Sequence, residues 1–269
     1  VKTKFEGGIA FALENYMVRK AKNRLCAHLC TAIALFATAT TTASSAQFYL
    51  DTEGGRVSAG NNTVRIPLEG GTRFSLTDEL KSDPAAYWRV RVGRRSGKSD
   101  VSVLAAPLTL RSYGRLDRAV NFAGSSFPGG VPVEAVYRFD SYRIRYLYEF
   151  YHRNALLMRW GGALKLRHAG ITLTGGGTSA ESRNTGFVPL ASFSAEYALR
   201  PGWLLLLDAD ALGAPQGRAE DVMLAVGRVV SKDLRLRVGY RFLEGGSGAG
   251  DVYTFALLHY LLAGVNWEF

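Results

Sequence analysis

The sequence predicts an all-β fold, an antiparallel transmembrane up-and-down β-barrel of about ten strands, with roughly eight to twelve allowed. Three observations lead there. Apolar and charged residues alternate with period two over most of the chain. The alternating segments are far longer than the roughly five or six residues of an average soluble strand. Short connections take turns with longer ones rich in Gly, Asn, Ser or Pro. That is the rhythm of a barrel with tight hairpins at one end and open loops at the other.

Residues 1–46 read as an N-terminal extension and secretory signal peptide. Arg19, Lys20, Lys22 and Arg24 precede a short apolar run, 29–39, and a small polar stretch ends in Ser44-Ser45-Ala46, where removal is expected. The apolar run is about half the ~20 residues that span a bilayer. Met17, just before the basic group, is an alternative start. Both cysteines, Cys26 and Cys30, fall in this segment. The mature chain, 47–269, then has neither a disulfide framework nor a thiol nucleophile.

Within 47–269 strands are expected near 47–59, 86–95, 101–112, 132–151, 154–174, 187–199, 202–212, 219–230, 233–244 and 251–269. In 233–243, Leu234, Leu236, Val238, Tyr240 and Phe242 share one face, and Arg235, Arg237, Gly239 and Arg241 the other. Trp88, Val90 and Val92 likewise oppose Arg89, Arg91 and Arg95. Tyr142, Ile144, Tyr146, Tyr148 and Phe150 oppose Arg143, Arg145, Leu147 and Glu149. Leu204, Leu206, Asp208 and Asp210 share the charged face of 202–212. Segment 132–151 departs from the rule, because its apolar face changes near Phe139-Asp140-Ser141, which points to a bulge or a tight hairpin. Segment 60–75 is a further strand candidate. The longer connections are expected at 60–85, 113–131, 175–186, 213–218 and 245–250.

Parity assigns a lumen network of Arg89, Arg91, Arg95, Arg143, Arg145, Arg159, Lys165, Arg167, Arg235, Arg237 and Arg241, facing Glu149, Glu196, Asp208, Asp210 and Asp221. Charges inside a narrow bore must be paired or hydrated. The bland reading is a salt-bridged core that closes the barrel; the functional one is a narrow channel favouring anions. Strand ends place Asp208, Asp210, Glu220, Asp221, Glu244 and Asp251 near an outer acidic rim, a solvated edge or a site for cations.

The chain holds 33 Lys+Arg against 23 Asp+Glu, a net charge of +10. The arginines alternate into one face of long strands, which argues against nucleic acid as a partner. Glycine, 30 of 269 residues, and 12% aromatics argue against disorder and against a helical bundle. No metal-ligand spacing and no phosphate loop is present, so no metal and no cofactor is expected. His259, His168 and His152 have no serine and acid at a spacing that makes a triad. The role expected is structural, binding or narrow-channel. The alternatives are a barrel hydrolase acting on lipid or peptide at the outer rim, and a soluble lipocalin-like barrel, which needs the reverse polarity.

The chain ends Gly264-Val265-Asn266-Trp267-Glu268-Phe269. Gly264, Trp267 and Phe269 resemble the C-terminal assembly signal of bacterial outer-membrane barrel proteins, with Leu262 where that signal usually has a polar residue. The resemblance implies a Gram-negative outer membrane as the destination. It implies outer-membrane lipid and the barrel assembly machinery, acting through the last strand, as partners. Segments Gly186-Phe187-Val188-Pro189-Leu190, 214–221 and 239–246 look like signature segments of an uncharacterised outer-membrane barrel family, and this likeness implies no mechanism.

Overall fold

The computed structural model describes residues 46–269 except 216, 249 and 250, so the segment 1–45, with nearly all of the expected export signal, lies outside the described residues. Ten strands form the wall: β1 Gln47–Arg65, β2 Ala85–Ser96, β3 Ser99–Ala106, β4 Pro132–Arg153, β5 Leu156–Gly175, β6 Thr178–Arg200, β7 Trp203–Ala214, β8 Gly217–Val229, β9 Leu234–Ser247 and β10 Tyr253–Glu268. Each pairs antiparallel with the next, and β10 pairs with β1 from Tyr49↔Glu268 to Arg65↔Tyr253, so the sheet closes on itself. Phe48 N donates to the Phe269 carbonyl at 3.1 Å and Phe269 N to that of Phe48 at 2.9 Å, which completes the seam. Closure removes the sheet edges, as a wall facing hydrocarbon requires.

Polarity runs apolar-out and charged-in, which overturns the soluble, lipocalin-like alternative. Ile144, Leu164, Val238 and Leu261 are 60%, 48%, 63% and 69% exposed on the outer wall. Arg143, Arg145, Arg241 and Lys165, of opposite parity, are buried inside. Aromatic side chains gather at the end that holds Gln47 and Phe269, at the two ends of the described segment. Trp160, Trp267 and Phe269 are exposed there, Phe269 stacks on Phe48, and Trp203 lies between the guanidinium groups of Arg200 and Arg228. Such a girdle sits at a membrane–water boundary.

The connections at this end are tight: 97–98, 154–155, 201–202 and 230–233. At the far end lie two long segments, 66–84 and 107–131, of which Thr109–Arg115 continues the wall beside β4 and the rest packs inward. They carry the strands Phe74–Ser75, Leu80–Ser82 and Thr109–Arg115 and the hairpin Val120–Phe122/Ser125–Phe127. Phe74, Leu76, Leu116, Val120, Phe122 and Phe127 are almost wholly buried with Val57, Val64, Leu173 and Leu258 of the wall. Burying each such side chain contributes about 1.5–3 kcal/mol. The far end is thus stoppered by an apolar cap.

Several expectations change. The wall strands are longer than the alternation marked. Residues 178–186, expected in a loop, are the first half of β6, and the β5–β6 connection shrinks to Gly176-Gly177, both at positive φ. The β7–β8 connection, expected over 213–218, shrinks to residues 215–216. β1 continues to Arg65 because a bulge at Ala59/Asn61 shifts the inward parity from Tyr49, Asp51, Glu53 and Val57 to Asn62 and Val64. Neither a bulge nor a hairpin lies at Phe139-Asp140-Ser141; the one register shift against β5 falls at Phe150. Odd residues face inward from Val133 to Glu149, and what changes is their chemistry, from Val133, Ala135, Tyr137 and Phe139 to Ser141, Arg143 and Arg145. The extra buried residue, Asp140, covers the break in the neighbouring strand at Pro107-Leu108. It accepts from Leu108 N at 3.3 Å and from Arg138 Nε at 2.7 Å.

The outward assignment of Leu164, opposite Ile144 and Pro189, is testable. Leu164→Arg is expected to destabilise the barrel in lipid by about 2–4 kcal/mol, the cost of a cation on the lipid face near mid-depth. Denaturant unfolding from vesicles reads this, and an unchanged midpoint contradicts the assignment.

Candidate functional site in the lumen and the outer vestibule

Strand register stacks the inward charges in three layers. Nearest the termini, Arg95 bonds Asp100 at 3.0 Å and Glu268 at 2.6 Å. Glu196 in this layer accepts from Arg159 at 2.7 Å and Arg235 at 3.1 Å. The middle layer joins Arg237 to Asp51 at 2.5 Å and Asp208 to Arg145 at 2.8 Å and Arg91 at 3.4 Å. In the third, Glu53 holds Arg241 at 2.9 Å and Asp221 holds Arg241 at 2.5 Å and Arg89 at 3.0 Å. Arg143 reaches Asp210 at 2.6 Å and also bonds Asp221, and Ser192 donates to Asp210 at 2.6 Å. Tyr87 adds a hydrogen bond to Glu53 at 3.1 Å, its ring edge-on to Tyr260.

Two glycines make room for this packing. A Cβ on Gly93 would lie 2.3 Å from Tyr49 Cζ, and one on Gly264 would lie 2.8 Å from Arg237 Cζ. Gly264, singled out in sequence for the terminal signal, is therefore also the gap through which the Arg237 guanidinium reaches Asp51.

The placements differ from the sequence expectations in detail. Asp208, Asp210 and Asp221 lie inside the network and not on the outer rim. Their strands continue past them, so residues taken as strand ends are mid-barrel. Glu244 bonds Arg218 near the far end, and exposed Asp251 accepts from Leu68 N. Glu149 lies at the other end, 3.3 Å from His152. Arg167 sits one step outward from the third layer and donates to Asn184. Sequence reasoning missed Asp51, Glu53, Asp100 and Glu268, the partners of Arg237, Arg241 and Arg95; strand parity with Tyr49 and with Gly264 would have pointed to Asp51, Glu53 and Glu268. His259 lies on the outer wall, Nδ1 2.5 Å from the Tyr240 hydroxyl, with Ser58 opposite it on β1. Among the described residues no carboxylate pairs with His259, and no cluster of three or more His, Cys, Asp or Glu is disposed to hold a metal ion.

Counting the three layers, Arg89, Arg91, Arg95, Arg143, Arg145, Arg159, Lys165, Arg235, Arg237 and Arg241 stand against Asp51, Glu53, Asp100, Glu196, Asp208, Asp210, Asp221 and Glu268. That leaves an excess of two cations. Lys165 is 4% exposed, and alone among the described buried cations of the lumen it has no ion pair; its Nζ lies 5.5 Å over the Phe139 ring. Two cavities among the described residues bear on these charges. One, about 110 Å³, lies among the ionic layers, from Arg95 and Asp100 to Glu53 and Arg241, and has room for a few waters. The other, about 570 Å³, lies at the far end between the cap and β5–β10, with Lys165 in its lining.

Fold and lumen together define a small transmembrane β-barrel, apolar on its outer wall and charged within. No protein-family model matches the chain, and no curated protein sequence matches it. Among solved structures it is similar to Ail, the attachment invasion locus protein of Yersinia pestis, in complex with the heparin analogue sucrose octasulfate, at 9% identity and a TM-score of 0.37, covering 82% of this chain and 99% of that one. It is also similar to the transport unit of the autotransporter AIDA-I from Escherichia coli, at 6% identity and a TM-score of 0.43, covering 87% and 94%. Neisserial surface protein A is a third, at 15% identity and a TM-score of 0.29, covering 82% and 97%.

Removing one partner from a buried ion pair leaves an uncompensated charge and costs about 3–5 kcal/mol. Arg143→Met strips Asp210 and Asp221 of a shared guanidinium and is expected to cost about 3 kcal/mol. The double variant with Asp210→Asn should cost less than the two single changes added together. Additive unfolding free energies would contradict the coupling.

Proposed function

We propose that this chain is an exported outer-membrane barrel whose bore is closed, and that it acts through its outer face as a binding or structural protein and not as a pore. The observation that carries the reading is the third ionic layer, in which Arg89, Arg143 and Arg241 converge on Asp221 across the bore. Those groups are almost fully buried, and the apolar cap lies beyond them. An ion crossing the barrel would have to break this layer. The end with the long segments is read as external, since outer-membrane barrels keep short turns on the periplasmic side. Removal of the signal near Ala46 leaves β1 starting at the periplasmic side beside Phe269, consistent with this orientation.

Planar-bilayer recording of the refolded mature chain is expected to give no steady conductance across salt and voltage, with insertion checked by protease protection. Steady anion-selective current would overturn the closed-bore reading in favour of a narrow channel.

The assembly machinery is proposed as a partner through Gly264, Trp267 and Phe269. Phe269→Ala keeps the backbone bonds to Phe48 and removes only the terminal ring. It is expected to lower the yield of folded barrel in cells several-fold while leaving refolding into detergent unchanged. Equal loss in both settings would assign the ring a purely structural role.

A further inference from the structure

We infer that the outer vestibule binds a small amphipathic carboxylate, with the Lys165 ammonium as the group that takes its head. The inference rests on the closed-bore reading, since an open lumen would hydrate Lys165 from both ends. Burying an ammonium without a partner is costly, and buried charges are as a rule paired. The carboxylates that face Lys165 from neighbouring elements are already engaged. Asp210 is held by Arg143 and Ser192, and Asp221 by Arg89, Arg143 and Arg241. Toward the mouth, Glu244 bonds Arg218, and Asp251 accepts from the Leu68 backbone. Among the described residues the wall supplies no carboxylate free to pair with Lys165.

Beside Arg167, Asn184 and the Arg218–Glu244 pair nearer the mouth, much of what the wall supplies is apolar. Tyr137, Phe139, Ile171, Leu212 and Val252 line the space above Lys165, and the Tyr137 and Phe139 rings are parallel, 6.2 Å apart. A volume of about 570 Å³ falls within the roughly 300–1,000 Å³ of small-molecule sites, which combine apolar walls with a few placed polar groups. Lys165 at the floor, with Arg167 beside it toward the mouth, and apolar side chains along the shaft match a ligand with one anionic head and a hydrocarbon body. An inorganic anion would leave the shaft unused, and a neutral alcohol would leave the charge unmet. The occupant is taken to be a free carboxylate entering from the outer side, where the vestibule opens.

The test uses the mature chain in lipid nanodiscs and octanoate as probe, with octanol, octyltrimethylammonium and empty discs as controls, read by titration calorimetry. Octanoate is expected to bind the wild type, to bind Lys165→Met at least tenfold more weakly, and to recover with Lys165→Arg. Lys165→Met removes an unpaired buried charge, so it is expected to fold; Lys165→Gln serves if it does not. Equal octanoate affinity in wild type and the neutral variants overturns the inference. Binding in phosphatidylcholine discs that vanishes in phosphatidylglycerol discs overturns the free carboxylate in favour of a membrane lipid. A non-conducting barrel that fails to bind octanoate overturns this inference alone. A conducting barrel with Lys165-dependent binding overturns the closed-bore reading alone.

Discussion

An arginine drawn into a narrow bore loses much of its hydration, and the loss is offset only where a carboxylate from another strand stands at the same height. Three such heights exist in this barrel, and together they tie strands that are far apart in sequence. Arg241 of β9 reaches Glu53 of β1 and Asp221 of β8, and Arg143 of β4 reaches Asp210 of β7. The register of the wall depends on this arrangement. A slip of one residue would turn a strand's charges to the lipid face, and a slip of two would set each guanidinium against the wrong layer. The aliphatic outer wall has no comparable power to choose a register, because leucine and valine are equally at home at neighbouring depths.

The same interaction explains which parts of the fold were legible in the sequence. Arg235, Arg237 and Arg241 alternate with Leu236, Val238 and Tyr240 because lipid lies on one side and the ionic layers on the other. Where one of those two surroundings is missing, the signal fades. The first half of β6, with Ser179, Glu181, Ser182, Arg183 and Asn184, has polar residues of both parities and resembles a loop until its pairing with β5 is seen. Beyond Gly60 the bulge reverses the parity of β1, and the run loses its phase. The apparent change of face in β4 came from the interior, where apolar filling gives way to charge along one unbroken parity.

The site was legible in its cations more than in its anions. Asp51 and Glu53 lie in a stretch with Gly54 and Gly55, whose missing side chains blur the alternation, and Asp100 sits beside a turn. The cap left no periodic trace. Phe74, Leu76, Phe122 and Phe127 are buried by contacts across two separate segments and the wall, and no local pattern encodes that meeting. One bore thus has two fillings, ionic toward the termini and apolar beneath the cap. Lys165 lies at their boundary, where a cation meets walls that offer it aromatic and aliphatic carbon.

The inward arginines and carboxylates also govern the journey of the chain before any barrel exists. A polypeptide crossing the inner membrane is retained there when about 20 successive apolar residues partition sideways as a helix. Charges recurring along the strands keep this chain below that limit. After residue 46 the longest stretch free of Asp, Glu, Lys and Arg is 252–267, bounded by Asp251 and Glu268 and interrupted by His259 and Asn266. Asp251 and Glu268 thus mark off the one segment that comes nearest to the length of a membrane helix, and on the proposed export route the side chains that lock the finished barrel would also let the unfolded chain pass through.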